Sequence, residues 1–129
     1  TAKAAYNSLG NVYFQQKRFQ LAVGVYLKAL ALDPDYAKAR NNLGSTYIQL
    51  AMYEKAIEEL QRALRSEDGA SLAYYNLACV YARNGDSTTA AWYLQQAIGL
   101  EPQARAWART DTDFARVRST LEVQQLLEP

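Results

Sequence analysis

The stretch from Leu43 to Ala63, LGSTYIQLAMYEKAIEELQRA, decides the fold. Its apolar residues recur at steps of three and four, which predicts two successive amphipathic helices. Shifting the sequence by 34 residues in either direction finds the same pattern again. The matching columns are Leu9, Leu43 and Leu77; Tyr13, Tyr47 and Tyr81; Ala22, Ala56 and Ala90; Tyr26, Leu60 and Leu94; and Ala29, Ala63 and Ala97. One such helix pair cannot bury its apolar face alone, so three copies are expected to stack.

These columns resemble the tetratricopeptide repeat (TPR), which places an aromatic residue, Leu-Gly, Tyr, Ala, an aromatic or apolar residue, Ala and Pro at fixed offsets. The resemblance divides the chain into repeats 3–36, 37–70 and 71–104. It implies an all-α, right-handed superhelical solenoid of antiparallel helix pairs. Two departures from the pattern are Arg40, in place of an aromatic residue, and Ala78, in place of glycine.

The connections between helices carry turn residues. Gln16-Lys17-Arg18 and Asn84-Gly85-Asp86 are expected to join paired helices. Asp33-Pro34-Asp35 is expected to end the first repeat, with Asp35 as the N-cap of the next helix. Asp68 stands where the pattern has proline between the second and third repeats.

Residues 105–129 leave the 34-residue register and resemble the segment that ends many bacterial TPR arrays. The expected role is a helical cap on the apolar edge of the last repeat, because terminal units of a solenoid must be covered. The alternative is a basic patch for an acidic partner. That patch would consist of Arg105, Arg109, Arg116 and Arg118.

The composition argues against catalysis and against charged partners. The 14 basic and 13 acidic residues leave a formal charge of +1, and no histidine is present. A nucleic-acid or anionic-membrane partner would require a basic surface that this balance does not provide. Cys79 lacks a histidine base, so we interpret it as a small buried side chain, and Asp111 and Asp113 as helix N-caps. We therefore expect no catalytic residue, no metal site and no cofactor.

In TPR arrays, the first helix of each pair lines the concave surface. Counted by repeat position, this surface is polar, rich in amides and nearly uncharged. The predicted peptide-binding groove consists of Asn7, Asn11, Lys38, Asn41, Asn42, Ser45, Tyr75, Asn76 and Arg83, with Phe14 and Gln15 also facing inward. Side-chain amides both donate and accept hydrogen bonds, so they can pair with the backbone of an extended peptide. For Asn42 and Asn76, which share one repeat position, a hydrogen bond between helices is the alternative.

Some TPR co-chaperones clamp a terminal carboxylate with basic residues and two asparagines. Asn11 and Asn42 match those asparagines, but Asn7, Leu72 and Asn76 occupy the basic positions. The predicted partner is therefore a protein or peptide segment bound without such a clamp. We predict a protein-interaction scaffold, neither binding nucleic acid nor inserting into a membrane. The alternative is a structural module that assembles into homo-oligomers.

Overall fold

The computed structural model describes residues 1–128, and these residues are helical with no strand among them. The predicted all-α class is confirmed. The helices are α1 (Ala2–Gln15), α2 (Phe19–Leu32), α3 (Ala37–Gln49), α4 (Tyr53–Ala63), α5 (Glu67–Arg83), α6 (Ser87–Leu100), α7 (Ala104–Thr110) and α8 (Leu121–Leu127), with a 3-10 turn at Thr112–Phe114. They form two compact units, Thr1–Gly69 and the residues from Ala70 onward. Within the described chain, no helix combines the length and hydrophobicity needed to cross a bilayer.

The turn between paired helices has the same geometry in all three repeats. One residue in each turn has a left-handed backbone, with φ of 60° at Lys17, 57° at Ala51 and 80° at Gly85. The next residue closes the turn by donating its N–H to the tyrosine carbonyl five positions earlier. These bonds run from Arg18 to Tyr13, from Met52 to Tyr47 and from Asp86 to Tyr81, at 2.8–2.9 Å. The conserved spacing of the repeats therefore reflects one repeated turn.

In the first unit, each helix pair closes over a glycine. A Cβ on Gly10 would lie 2.3 Å from the Tyr26 ring, and a Cβ on Gly44 would lie 2.6 Å from Leu60. Tyr26 is 1% exposed and Leu60 is fully buried. The missing side chain lets α1 approach α2, and α3 approach α4, closely enough to bury these two large residues.

The connection between α2 and α3 differs from the prediction in its capping residue. The residue before α3 is Tyr36, and it makes no side-chain capping bond, so the prediction of Asp35 as N-cap was wrong. Instead, the Asp35 N–H donates to Oδ1 of Asp33 at 3.1 Å. The Asp33 carboxylate therefore closes this turn locally, and Asp35 remains exposed.

Arg40 replaces an aromatic side chain with a half-buried ion pair. Its Nη1 lies 2.5 Å from Oε2 of Glu59, and the two side chains are 15% and 13% exposed. Its Nε and Nη2 also donate to the Pro34 carbonyl. The other two repeats have tyrosine at the position equivalent to Arg40. The Arg40 guanidinium is tolerated there because all of these contacts provide it with hydrogen-bond partners.

Helix α5 begins at Glu67, before the predicted start of the third repeat at residue 71. Glu67 and Asp68 form an acidic first turn, which favours helix initiation through the helix dipole. With aspartate in place of proline, nothing in the sequence interrupts the helix there.

The second unit buries the C-terminal segment. Phe114, Val117 and Val123 are at most 1% exposed, and α8 packs against α6. Arg105 Nε donates to the Leu126 carbonyl at 2.9 Å, and Arg109 Nε donates to the Leu127 carbonyl at 2.8 Å. These arginines satisfy carbonyl groups at the end of α8, which would otherwise lack intrahelical partners. Arg118 likewise donates to the carbonyls of Ala108 and Asp111, so three of the four arginines of the alternative basic patch are engaged within the unit.

Candidate functional site

The first unit has a cavity of about 310 Å³ on the surface of its first helices. The cavity brings together side chains from α1, α2 and α3. Its lining residues are Asn11, Phe14, Gln15, Tyr26, Asn42 and Ser45. Asn11, Asn42 and Ser45 are predicted groove residues, and Phe14 and Gln15 were expected to face inward. No lining residue carries a formal charge at neutral pH.

Two hydrogen bonds hold the amides of this cavity in place. The Tyr26 hydroxyl donates to Oδ1 of Asn11 at 2.6 Å. The Asn42 Nδ2 donates to Oδ1 of Asn7 at 2.9 Å and so connects α3 to α1. For Asn42, the hydrogen bond between helices is therefore present. The remaining amide groups are Nδ2 of Asn11, a donor, and Oδ1 of Asn42, an acceptor.

The Tyr26 hydroxyl keeps its proton under all ordinary conditions. Burial of the ring raises the pKa of Tyr26 to about 12, because the phenolate would lose its hydration. The hydroxyl can therefore donate to Asn11 at neutral pH and leaves the asparagine nitrogen exposed for other partners. It is also a poor general base, since deprotonation would require strongly alkaline solution.

The other predicted residues of the first unit take different positions. Asn7 is 7% exposed and serves as the acceptor for Asn42. Asn41 is 2% exposed, and its Nδ2 donates to the Gly69 carbonyl at 3.1 Å, so its amide lies inside the unit. Lys38 is exposed to solvent. The residues that a ligand could touch directly are thus fewer than the repeat positions suggested.

In the second unit, the C-terminal segment occupies the surroundings of two predicted groove residues. Tyr75 is 6% exposed, and its hydroxyl donates to Oδ2 of Asp111 at 2.7 Å. Its ring also packs edge-on against Trp107. Arg83 lies 3.4 Å from Oδ1 of Asp113. Tyr75 and Arg83 therefore hold the C-terminal segment in place.

Asn76, the remaining predicted groove residue of this unit, is half-buried. It belongs to the second unit and Asn42 to the first. A ladder formed by these two amides therefore stays a prediction.

Cys79, Asp111 and Asp113 form a group whose possible metal-binding atoms lie within 4.8 Å of one another. Burial raises the pKa of the Cys79 thiol, and the two carboxylates raise it further. Asp111 also caps the 3-10 turn by accepting the Asp113 N–H at 3.0 Å. Asp111 is thus an N-cap as predicted, whereas the Asp113 side chain pairs with Arg83. Each group already has a structural partner, so we interpret the cluster as the anchor of the C-terminal segment.

Tyr26 was not predicted as a site residue, because its repeat column predicts packing between helices. The sequence did distinguish Tyr26, since the equivalent positions of the other two repeats hold Leu60 and Leu94, whose side chains have no polar atom. A tyrosine in a leucine column supplies a hydroxyl where the fold requires only bulk. The contacts of Tyr75 and Arg83 with the C-terminal segment had no such signal.

Repeated helix pairs with one turn geometry define the helical repeat class of proteins. Two separate family models match the chain. One, described as TPR repeat, matches residues 10–51, and the other, described as tetratricopeptide repeat, matches residues 41–106. The chain belongs to the tetratricopeptide repeat family.

Solved structures share this fold. PilF of Pseudomonas aeruginosa is 23% identical with a TM-score of 0.80, over 98% of this chain and 58% of its own. The first TPR of Spaghetti (RPAP3), bound to the HSP90 peptide SRMEEVD, is 18% identical with a TM-score of 0.75, over 97% and 90%. YrrB, a TPR protein with an unusual peptide-binding site, is 27% identical with a TM-score of 0.65, over 88% and 66%. No curated protein matches the chain.

Proposed function

We propose that this protein is a non-catalytic interaction module whose first unit binds an extended, uncharged segment of a partner protein. The observation that carries the proposal is the 310 Å³ cavity lined by three amides, two hydroxyls and one phenylalanine. Asn11 Nδ2 and Asn42 Oδ1 offer one donor and one acceptor, the pair that a peptide group requires. Phe14 adds an apolar surface for a neighbouring side chain of the ligand.

The size of the cavity supports a peptide ligand. Sites for small molecules occupy roughly 300–1,000 Å³ and enclose most of the ligand. A cavity at the lower end of that range accommodates one or two residues of a longer chain, with the rest of the segment outside it. The structures of similar fold include RPAP3 with a bound peptide and YrrB with a peptide-binding site, which is consistent with this mode.

The chemistry of the site favours a neutral segment over a terminal carboxylate. Asn7 stands at one basic position of the co-chaperone clamp, and its amide is buried against Asn42. A carboxylate placed in the cavity would meet no lining cation. We therefore expect the peptide SRMEEVD to bind no more tightly with a free carboxyl terminus than with an amidated one.

The test begins with peptides selected from a phage-displayed library on the immobilised wild-type protein. A selected peptide is then titrated by fluorescence anisotropy against wild type and against Gln15→Ala/Ser45→Ala. Neither side chain is fully buried, so folding should persist. The matched control is Gln95→Ala/Ser119→Ala, at exposed positions of the second unit.

Gln15 and Ser45 line the cavity with two further polar groups, and loss of one ligand hydrogen bond of roughly 0.5–1.5 kcal/mol at each should weaken binding about tenfold in the cavity variant. The control should bind like wild type. Equal affinity for all three proteins would place the ligand outside this cavity. A preference for the free carboxylate of SRMEEVD would instead indicate a cationic site that the cavity does not contain.

A further inference from the structure

A second cavity of the first unit, of about 410 Å³, is formed by the turn after α2, the start of α3 and the end of α4. Its lining includes Pro34, Asp35, Arg40, Arg62, Arg65 and Ser66. The cavity is referred to here as the arginine cleft. It shares no residue with the cavity lined by Asn11 and Asn42, so the two cavities are separate features of the same unit.

The guanidinium of Arg40 is fixed where it lines the cleft. Its Nε and Nη2 donate to the Pro34 carbonyl, and its Nη1 donates to the Glu59 carboxylate. Only 15% of the side chain is exposed. These bonds use three of the five N–H groups of a guanidinium, so two remain. Because the side chain is already held in place, binding through the remaining N–H groups costs little side-chain entropy.

Arg62 and Arg65 differ in how far their charges are already paired. The Arg62 Nη2 donates to Oε1 of Glu58 at 3.2 Å, and the Arg62 side chain is 44% exposed. Exposed ion pairs of this kind are weak, so a more highly charged anion can compete for the guanidinium. Arg65 is exposed, and within residues 1–128 its side chain has neither an ion-pair partner nor a hydrogen-bond partner. All five of its N–H groups are therefore available to a ligand.

The lining of the cleft is positively charged, although the formal charge of the whole chain is only +1. Three arginines and one aspartate give the lining a formal charge of +2. Glu58 and Glu59 pair with these arginines from outside the lining, so they lower the local potential without occupying the cleft. Glu67 and Asp68, at the start of α5, are exposed and also lie outside the lining. The folded chain thus gathers positive charge at one cleft, which the overall composition does not reveal.

We propose that the arginine cleft binds a phosphate group. A phosphomonoester carries about −1.5 to −2 charges at neutral pH, which matches the +2 of the lining. Guanidinium groups bind phosphate oxygens through pairs of N–H groups, and the Ser66 hydroxyl supplies a further donor. A side-chain carboxylate has a single charge and one oxygen fewer, so it balances the charge of the cleft only in part.

Two kinds of molecule carry such a group: a partner protein with a phosphorylated side chain, and a free phosphate ion. The volume of the cleft lies within the roughly 300–1,000 Å³ of sites that enclose small ligands, so it accommodates either one. The proposal goes beyond the binding of an uncharged segment in the first cavity. It also does not depend on that binding, because the two cavities have different residues and different charge.

The test is an NMR titration that follows the Nε–H resonances of the arginine side chains in ¹⁵N-labelled protein. Four probes are compared at pH 7 and constant ionic strength, which keeps screening equal: inorganic phosphate, acetyl-phosphoserine amide, acetyl-glutamate amide and acetyl-serine amide. Both phosphate probes should shift the resonances of Arg40, Arg62 and Arg65. Acetyl-glutamate amide should bind more weakly than either, and acetyl-serine amide should shift none of these resonances.

Arg65→Gln removes one guanidinium of the cleft and should weaken the binding of both phosphate probes about tenfold, the effect of one lost charge-assisted hydrogen bond. Arg65 is exposed, so the fold should persist. The matched control is Arg116→Gln, because Arg116 is also exposed, lies in the second unit and carries the same charge. This control should bind phosphate like wild type.

The relative affinities of the two phosphate probes distinguish the source of the group. Tighter binding of acetyl-phosphoserine amide indicates a phosphorylated partner segment, and tighter binding of inorganic phosphate indicates the free ion. The proposal would be overturned by unchanged resonances at about 50 mM of either phosphate probe, by acetyl-glutamate amide binding as tightly as phosphate, or by equal affinities of Arg65→Gln and Arg116→Gln. Gln15→Ala/Ser45→Ala should bind phosphate like wild type, so failure of one site leaves the other standing.

Discussion

One residue in each turn has a left-handed backbone, and two of these three equivalent residues, Ala51 and Gly85, allow a prediction about stability. Ala51 has φ of 57° and is exposed, so its side chain makes no buried contact that a substitution would lose. Gly85 occupies the same place with φ of 80°, and no atom lies within 4 Å of an added Cβ. The substitutions Ala51→Gly and Gly85→Ala therefore probe backbone strain without a change in packing.

The sign and the size follow from two opposing terms. A residue with a Cβ pays roughly 1–2 kcal/mol in the left-handed region, which glycine avoids. Glycine loses roughly 0.4–1 kcal/mol through the greater freedom of its unfolded chain. Ala51→Gly should therefore stabilise the protein by about 1 kcal/mol. Gly85→Ala should destabilise it by a similar amount.

Gly24 provides a control of opposite geometry. It lies within α2, and an added Cβ would meet nothing within 4 Å. In a helix interior glycine is about 1 kcal/mol less favourable than alanine, so Gly24→Ala should stabilise. Alanine is thus expected to stabilise the protein more than glycine within the helix, and glycine more than alanine in the turn.

The assay is urea unfolding followed by circular dichroism at 222 nm. With a slope of about 2 kcal/mol per molar urea, each substitution should move the midpoint by about 0.5 M. Ala51→Gly and Gly24→Ala should move it upward, and Gly85→Ala downward. A midpoint that falls for Ala51→Gly, or one that does not fall for Gly85→Ala, would refute the assigned turn geometry.

Three further predictions concern packing, hydrogen bonding and charge. Gly44→Ala places a methyl group 2.6 Å from Leu60 and should cost roughly 1–3 kcal/mol in urea unfolding; a cost under about 0.5 kcal/mol would contradict the close approach. Asn42→Ala leaves the buried Asn7 oxygen without its donor and should cost roughly 1–3 kcal/mol, and a double-mutant cycle with Asn7→Ala should show coupling rather than additivity. Burial raises the pKa of the Asp113 carboxyl above 3.8, so its contribution to stability is fully present below pH 3.8 and is lost as the pH rises through the folded-state pKa. Asp113→Asn should remove this pH dependence when urea unfolding is measured from pH 3 to 7. A stability difference between the two proteins that does not vary with pH would argue against the raised pKa.

Residues that repeat in the sequence were predicted well, because each copy repeats the same physical requirement. The columns of alanine at positions 22, 56 and 90 predict close contacts between paired helices, and all three residues are fully buried. The polar character of Asn11, Asn42 and Ser45 is likewise a property of the sequence, and these residues line the cavity. Periodicity and residue type were enough for these features, since both act through neighbours three or four residues away.

The sequence could not predict which side chains of the predicted site are exposed to solvent. Asn41 and Asn42 are adjacent amides with the same chemistry, yet one bonds to the Gly69 carbonyl inside the unit and the other borders the cavity. A helix turns 100° per residue, so neighbouring side chains point in different directions, and only the packed neighbours decide which direction leads to solvent. Tyr75 was placed in the groove by its repeat position, but its surroundings are set by the segment after α6.

The sequence by itself determined the helix pairs, their 34-residue period, the small residues at close approaches and the nearly uncharged character of the predicted groove positions. These follow from local preferences and from patterns that recur along the chain. The tertiary structure alone decided which amides remain available and how Asp111 and Asp113 hold the C-terminal segment. Those outcomes depend on contacts between residues far apart in sequence, and the free energy of a buried polar or apolar group depends on the neighbours that such contacts provide.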